Sequence, residues 1–349
     1  MENQQSKPER RIRYKGTHPK SFKEKYKELQ PNLYKDDVEK VINKGGTPAG
    51  MHRSICVNEI LDFLNIKPGQ KGLDATLGYG GHSMEMLKCV GPKGHLYAID
   101  VDPIELPKTK ERLSSLGFGP EVLTIRKMNF SGIDLLISET GPLDFILADL
   151  GVSSMQIDNP DRGFSLKLDG PLDLRLNPTT GKPASTLLKS ISFADLEALL
   201  VENGDEPHAA VITKAIIAQT SKGITIATTA QLKTIIKETL QFLPQEERPD
   251  LIRKSCQRCF QALRIEVNNE FGVLDKLLEK LPMALVTGGK VAILSFHSGE
   301  DRRVKKSFQS FFREGIYSEI AAEPIRPTSQ EIYDNPRARS AKLRWAIKA

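Results

Sequence analysis

Residues 71–83 read KGLDATLGYGGHS, a short apolar run that meets a turn carrying Gly78, Gly80 and Gly81. The run Lys71–Ala75 predicts a buried strand, and the glycines let the backbone bend sharply into a helix over Ser83–Cys89. Outward from this unit, HLYAID (95–100) is a second strand ending at Asp100, and a helix after Pro103 stops near Gly117. EVLTIRK (121–127) is a third strand, a short helix follows Ser131, and LDFILADL (143–150) is a fourth. Strands alternating with helices at this spacing predict an α/β fold with a doubly wound, Rossmann-like parallel sheet.

The pattern changes after Asn159, where only helical periods occur up to about Asp250. Ser192 and Asp195 can cap a helix bearing Phe193, Leu196, Leu199 and Leu200. Val211, Ile212, Ala215 and Ile216 form a second stripe, and Leu232, Ile235, Ile236, Leu240 and Leu243 a third. A strand–helix–strand unit needs only about 30 residues, and far more than that separates Leu150 from the next strand, KVAILSF at 290–296. An inserted all-helical domain over 158–250 is therefore expected. It interrupts a sheet domain formed by 51–157 and 251–349, behind a basic N-terminal extension, 1–50. One long crossover helix running from Phe260 to Leu281 is expected before the strand at 290, and KLRWAIK supplies a last strand.

At 349 residues the chain exceeds one compact core, so two structural units are the natural prior. No apolar run approaches the roughly 18–20 residues of a membrane helix, and the first residues are polar and basic, so neither a secreted nor a spanning protein is expected. Four scattered cysteines make no disulfide framework; Cys256 and Cys259 read as two reduced thiols on a helix, without the four ligands of a structural zinc site. The cytoplasm is the expected compartment. The net charge of +6 is concentrated at the ends: residues 1–40 hold 11 Lys/Arg against 7 Asp/Glu, and residues 323–349 hold 6 against 3. Such ends are solvated termini or arms that grip a phosphate backbone, and Tyr14, Phe22, Tyr26, Tyr333 and Trp345 among the basic residues suit a nucleic-acid surface.

Ligands of open parallel sheets bind at the carboxyl ends of the strands. Here those ends carry Asp74, Asp100 and Asp149, and acids near a pyrophosphate would repel it. The glycine run also has Ser83 where a dinucleotide fingerprint has its third glycine, so a nicotinamide-dependent oxidoreductase is disfavoured. S-adenosylmethionine, with a sulfonium, an ammonium and no phosphate, fits better. Asp74 can face its cationic end, the glycines allow close backbone approach, Asp100 can bridge the ribose hydroxyls, and Phe130 can lie against the adenine or simply belong to the core.

Seven ordered blocks carry a family resemblance: DATLGYGGHS at Asp74, AIDVDP at Ala98, LADLGVSSMQID at Leu147, RGFSLKLDGPLDLRLNP at Arg162, FQALRIEVN at Phe260, SFHSGEDRRVK at Ser295 and NPRARSAKLR at Asn335. From about His52 onward the chain resembles the MraW-type (RsmH) methyltransferases, which modify the exocyclic N4 amine of a cytidine in the decoding region of small-subunit ribosomal RNA. The resemblance implies a methyltransferase sheet with an inserted helical domain. It also implies cofactor contacts from Gly78, Gly80, Gly81, His82, Asp100, Phe130, Asp149 and Gln156, with no metal. The implied partner is small-subunit ribosomal RNA or the assembled subunit, with no membrane; a homodimer is left open.

For the chemistry, Asp149 is a candidate to accept a hydrogen bond from the target amine or to orient the cofactor. His297 is a candidate base, or a hydrogen-bonding group to the target base or a phosphate. Arg162, Arg175, Arg258, Arg264, Arg302, Arg303, Arg337 and Arg339 are candidate RNA contacts, against the alternative of surface ion pairs. Three features depart from the family pattern: the residues before His52 with His52-Arg53-Ser54-Ile55-Cys56, the stretch Lys254–Cys259, and Gly299 where a larger apolar residue is common. They leave open a shifted target nucleotide, and a non-catalytic ribosome-assembly protein of the same fold is the remaining rival.

Overall fold

The structure is a computed structural model and describes residues 54–349; the expected basic extension lies outside the described residues. In chain order the elements are α1 (Val57–Leu64), β1 (Lys71–Asp74), α2 (Gly81–Val90), β2 (His95–Asp100), α3 (Glu105–Ser115), β3 (Leu123–Lys127), α4 (Ile133–Thr140) and β4 (Leu143–Asp149). There follow α5 (Ser154–Asp158), α6 (Ala184–Ser190), α7 (Phe193–Gly204), α8 (Ala209–Thr220), α9 (Thr229–Thr239), α10 (Arg248–Asn268) and α11 (Glu270–Ala284). The last are β5 (Leu285–Ser295), α12 (Ser298–Arg313), β6 (Tyr317–Ile320), α13 (Ser329–Asp334) and β7 (Lys342–Lys348).

The seven strands form one sheet in the order β3-β2-β1-β4-β5-β7-β6. β1 to β5 are parallel to their neighbours, whereas β7 runs antiparallel to both β5 and β6, so the sheet is mixed at one edge. Both faces are covered, and the strand residues divide by parity as a pleated sheet requires. Ile146, Ala148, Val291 and Ile293 face the core beneath α4 and α11, while Phe145, Leu147, Ala292 and Leu294 face the core beneath α1 and α2. Gly72 is needed here for space, since a Cβ on it would lie 2.0 Å from the ring of Phe145 on the neighbouring strand. β1 and β4 are adjacent, although their crossovers lead to opposite sides of the sheet. Their carboxyl ends open the crevice in which such folds bind ligands.

Between α5 and α10 the chain contains helices α6 to α9, as the periodicity predicts. Their buried faces, with Phe164, Leu172 and Leu174, make a separate core from the two on the sheet. α10 contributes to this core through Cys256, Cys259, Phe260, Ala262 and Leu263. Both cysteines are buried free thiols whose pKa burial pushes up.

The expected single helix across Phe260–Leu281 is instead two. Asn269 adopts a left-handed conformation at φ 48°, ending α10 and starting α11. The joint is fastened from both sides. Arg264 grips Glu270 through two bonds of 2.8 and 2.9 Å, and the Asn268 amide donates to the Leu174 carbonyl and accepts from the Leu176 N–H. Apolar spacing cannot reveal such a break, because one residue with φ > 0 reorients the axis without removing any apolar position.

Candidate active site

The turn after β1 is held from beneath by Asp74. Its buried carboxylate accepts from the Ser83 hydroxyl at 2.6 Å and from the Thr76 backbone N–H at 3.1 Å. Both oxygens thus serve the loop. This corrects the expectation that Asp74 faces a cationic ligand; it is the internal anchor of the turn, and burial raises its pKa. Gly78 and Gly80 have φ of +48° and +81°, and a Cβ on Gly80 would stand 2.9 Å from Thr109 Cγ2, so backbone and space both demand glycine there.

Asp100 lies across the turn at the end of β2. Its Oδ2 accepts from the Gly78 N–H at 2.7 Å and its Oδ1 from the Asp102 N–H at 2.9 Å. Each oxygen keeps a second lone pair, so the carboxylate edge can still receive a pair of hydroxyls. Phe130 follows β3 in a short 3₁₀ turn capped by Asn129 and packs half-buried against the sheet core. Beside them a cavity of about 380 Å³ is lined by Val101, Met128 and Asn129 from the sheet and by Leu176, Asn177 and Thr180 from the helical side.

Asp149 ends β4 at the centre of the crevice. Its backbone N–H donates to Thr76 Oγ1 at 2.6 Å, and its Oδ2 lies 3.5 Å from His82 Nδ1. Its Oδ1 is out of contact with solvent and has no hydrogen-bond partner among the described residues. Burial pushes its pKa up to about 6; His82 pulls it down, and the Asp74 and Glu300 carboxylates push it further up. An unpartnered, buried carboxylate oxygen at a strand end is costly unless a ligand completes it.

His297, just after β5, has a side chain only 9% exposed, with Nε2 3.2 Å from Glu300 Oε1. Glu300 also accepts from the Phe296 N–H, and Phe271 lies 5.8 Å from the imidazole, ring centre to ring centre. Gly299 makes this packing feasible, because a Cβ on it would come within 2.6 Å of Phe271. His297 therefore sits at the edge of the crevice, turned toward Glu300 rather than standing open to a phosphate.

The donor set discriminates between cofactors. The strand-end acids Asp100 and Asp149, the second with an orphaned oxygen, and a glycine turn without a third glycine suit a ligand with cationic and hydroxyl groups, and S-adenosylmethionine carries both. The sequence profile of the MraW methylase family matches residues 49–349. This chain belongs to the MraW methylase family. It is a methyltransferase that uses S-adenosylmethionine. It is 68% identical over the full length of both chains to ribosomal RNA small subunit methyltransferase H 2 of Alkaliphilus metalliredigens. It is 63% identical to ribosomal RNA small subunit methyltransferase H 1 of Lachnoclostridium phytofermentans, over 100% of this chain and 95% of that one. Ribosomal RNA small subunit methyltransferase H of Halorhodospira halophila is 38% identical over 85% of this chain and 94% of its own.

In this MraW methylase the candidate residues fall into two groups. Gly78, Gly80, Gly81, His82, Asp100, Phe130 and Asp149 come together around the β1–β4 crevice. Gln156 is nearby but committed: its amide donates to Asp102 Oδ2 at 2.7 Å and its carbonyl accepts from the Ser153 N–H, so it reaches the crevice as a brace of Asp102. Two arginines expected to touch RNA are corrected. Arg162 is 4% exposed, paired at 2.7 Å with Asp102, itself 1% exposed, and it also donates to the carbonyls of Arg175 and Leu176. Arg264 is spent on Glu270. Arg175 is clamped on Asp173, and Arg303 pairs with Asp275. Arg302 and Arg339 are exposed, Arg258 is half-buried, and Arg337 donates to Asp158 at 2.8 Å while its Nη1 is buried without a partner.

Asp102, Thr76 and Glu300 lie in strand-end stretches that the sequence marks as informative, but it gives none of them a role. Asp102 could have been found from AIDVDP, where a second acid follows the ribose acid by two residues; Thr76 and Glu300 carry no signal short of the fold. One expectation follows for the crevice. Asp100→Ala removes a carboxylate placed to accept ribose hydroxyls and should weaken S-adenosylmethionine binding about 10- to 100-fold, the equivalent of one or two charge-assisted hydrogen bonds. Titration calorimetry reads it, and unchanged affinity would remove Asp100 from the site.

Proposed function

We propose that this methyltransferase transfers the methyl group of S-adenosylmethionine to the exocyclic N4 amine of a cytidine in small-subunit ribosomal RNA, free or within the assembled subunit. The observation that carries this reading is Asp149 at the carboxyl end of β4, whose side chain is 28% exposed and whose Oδ1 has no hydrogen-bond partner among the described residues. The names of the relatives support the RNA class, and the family resemblance supports the cytidine amine. Bound S-adenosylmethionine supplies the electrophilic methyl carbon. Asp100 and the glycine turn hold the cofactor, and Phe130 flanks its adenine.

The cytosine amine is a weak nucleophile because its lone pair is delocalised into the ring, so positioning must do much of the work. Asp149 Oδ1 accepts one N4–H, turning the amine's remaining lobe toward the methyl carbon. As the N4–CH₃ bond forms and the S–CH₃ bond breaks, the electron pair passes to sulfur and the N4 proton passes to Asp149. The His297–Glu300 pair walls the far side of the crevice. The helices of 158–250, with the first half of α10, form the RNA-facing layer, and a ribosomal substrate agrees with a cytoplasmic reaction. A homodimer would repeat this site rather than complete it, since one chain supplies every group above.

The test is transfer of labelled methyl from S-adenosylmethionine to small subunits from a strain lacking this protein, followed by nucleoside digestion and mass spectrometry. Label in N4-methylcytidine is expected. Label in another nucleoside would reassign the target, and RNA binding without transfer would favour an assembly role. Arg337, whose side chain is about one-third exposed beside Asp158, is the arginine we assign to an RNA phosphate. Arg337→Ala should reduce the slope of log affinity against log salt by about one, whatever the RNA sequence. A parallel line with unchanged slope would exclude that contact.

A further inference from the structure

We propose that His82 is a positioning residue for methyl transfer: held by the Ile55 carbonyl, it shares one proton with Asp149 and so keeps that carboxylate able to accept the proton of the amine. The inference rests on the reading of Asp149 given above. His82 Nε2 lies 3.0 Å from the Ile55 carbonyl oxygen, which can only accept, so Nε2 must carry a hydrogen. That fixes the ring and leaves Nδ1 facing Asp149 Oδ2 at 3.5 Å. A bare Nδ1 lone pair against an ionised carboxylate would be repulsive; one proton between them, on either partner, makes the contact attractive. The two oxygens of Asp149 then have separate duties, Oδ2 toward His82 and Oδ1 toward the target amine.

The surroundings favour this division. Asp149 is faced by Asp74 at the end of β1, by Glu300 at the start of α12 and by the Cys56 thiol from the segment before α1, whose pKa burial pushes up to about 12, leaving it neutral. Both carboxylates oppose ionisation of Asp149, and His82 is the neighbour that supports it. His82 is itself faced by Asp149, by Asp74 and, across the Cys56 backbone N–H, by Glu331. The residues entering α1 are thereby tied to the acceptor carboxylate: Ile55 through His82, and Cys56 through Glu331.

Two substitutions separate the contacts. His82→Gln can still donate to the Ile55 carbonyl but offers nothing at Nδ1; His82→Asn places a donor near Asp149 and lets go of Ile55. Single-turnover transfer to small subunits is measured from about pH 5 to pH 9. In wild type the acid limb should fall near the pKa of Asp149. In His82→Gln it should move upward by about one unit, so the rate drops about tenfold at the acid end and about twofold or less at the alkaline end. His82→Asn should keep the limb near its wild-type position. A loss by the same factor at every pH in His82→Gln, with the limb unmoved, would reduce His82 to a structural residue and overturn the proposal.

Nitrogen-15 NMR of histidine-labelled wild-type protein provides a reading that needs no variant. Nε2 of His82 should stay protonated throughout; a neutral ring with the hydrogen on Nδ1 and a bare Nε2 would also overturn it. If wild type forms no N4-methylcytidine, the functional reading fails, while the NMR result still decides whether the His82–Asp149 proton is shared.

Discussion

Asp149→Asn should lower the rate of methyl transfer at saturating S-adenosylmethionine by about 10²–10⁴, the range lost with a positioned general base. Cofactor affinity should change less than about tenfold, because the ribose acceptor and the glycine turn are untouched. The asymmetry follows from the geometry. Asparagine preserves the volume, and its backbone N–H still reaches Thr76 Oγ1. It removes the charge that faces His82, and it cannot take up a proton. Its NH₂ can donate to Nδ1 of a neutral His82 and its oxygen can still accept from the target N4–H, so the substitution removes the proton acceptor while keeping the positioning contacts. Single-turnover kinetics and titration calorimetry on the same preparation read both quantities. The opposite pattern, a large loss of affinity with an unchanged rate at saturation, would make Asp149 a cofactor ligand and remove it from proton transfer.

Arg162→Met should be the most destabilising of the substitutions considered, costing about 3–5 kcal/mol, because it strands Asp102 as a buried charge. Arg162 and Asp102 meet at 2.7 Å with almost no solvent on either side. Gln156 and the Ile104 and Glu105 N–H groups are the other hydrogen-bond partners of Asp102, and none of them supplies a positive charge. For a domain of this size roughly 2 °C is lost per kcal/mol, so the melting temperature should fall by about 5–10 °C. Adding Asp102→Asn should recover part of that drop, since the double variant buries no unpaired charge. A full-sized loss in the double variant would show that packing of the Arg162 stem, rather than its charge, is what matters. The pair joins the end of β2 to the segment leaving α5, so its loss should also weaken cofactor binding next to Asp100.

The strands β1 to β4 and the order of their helices were legible because each is a short run with apolar positions, and β1, β2 and β4 end in an acid. The parallel reading held for five strands and failed at β7. Strand direction depends on how α12 and the four-residue β6 return the chain to the sheet, and no side-chain period records that. β6 itself reads Tyr-Ser-Glu-Ile, with two exposed polar residues in four positions, too little pattern to detect. Asp100, Asp149 and the glycines stand at the strand ends where the sequence reading put them, because the end of an apolar run locates them. Arg162 and Arg264 were misread because an arginine on a loop or helix looks the same in sequence whether it meets solvent or a buried acid.

The amino-acid order alone determined the alternation of strand and helix, the helical periods over 158–250, the acids at the strand ends and the family resemblance, because each rests on spacing along one segment. Tertiary structure alone decided the break at Asn269, the burial of Arg162 against Asp102, the turning of His297 toward Glu300, and the chain of contacts from the Ile55 carbonyl through His82 to Asp149. Those depend on which groups far apart in the chain lose their water together. Burial and pairing decide how a carboxylate titrates and what it can bind, and both are properties of the packed molecule.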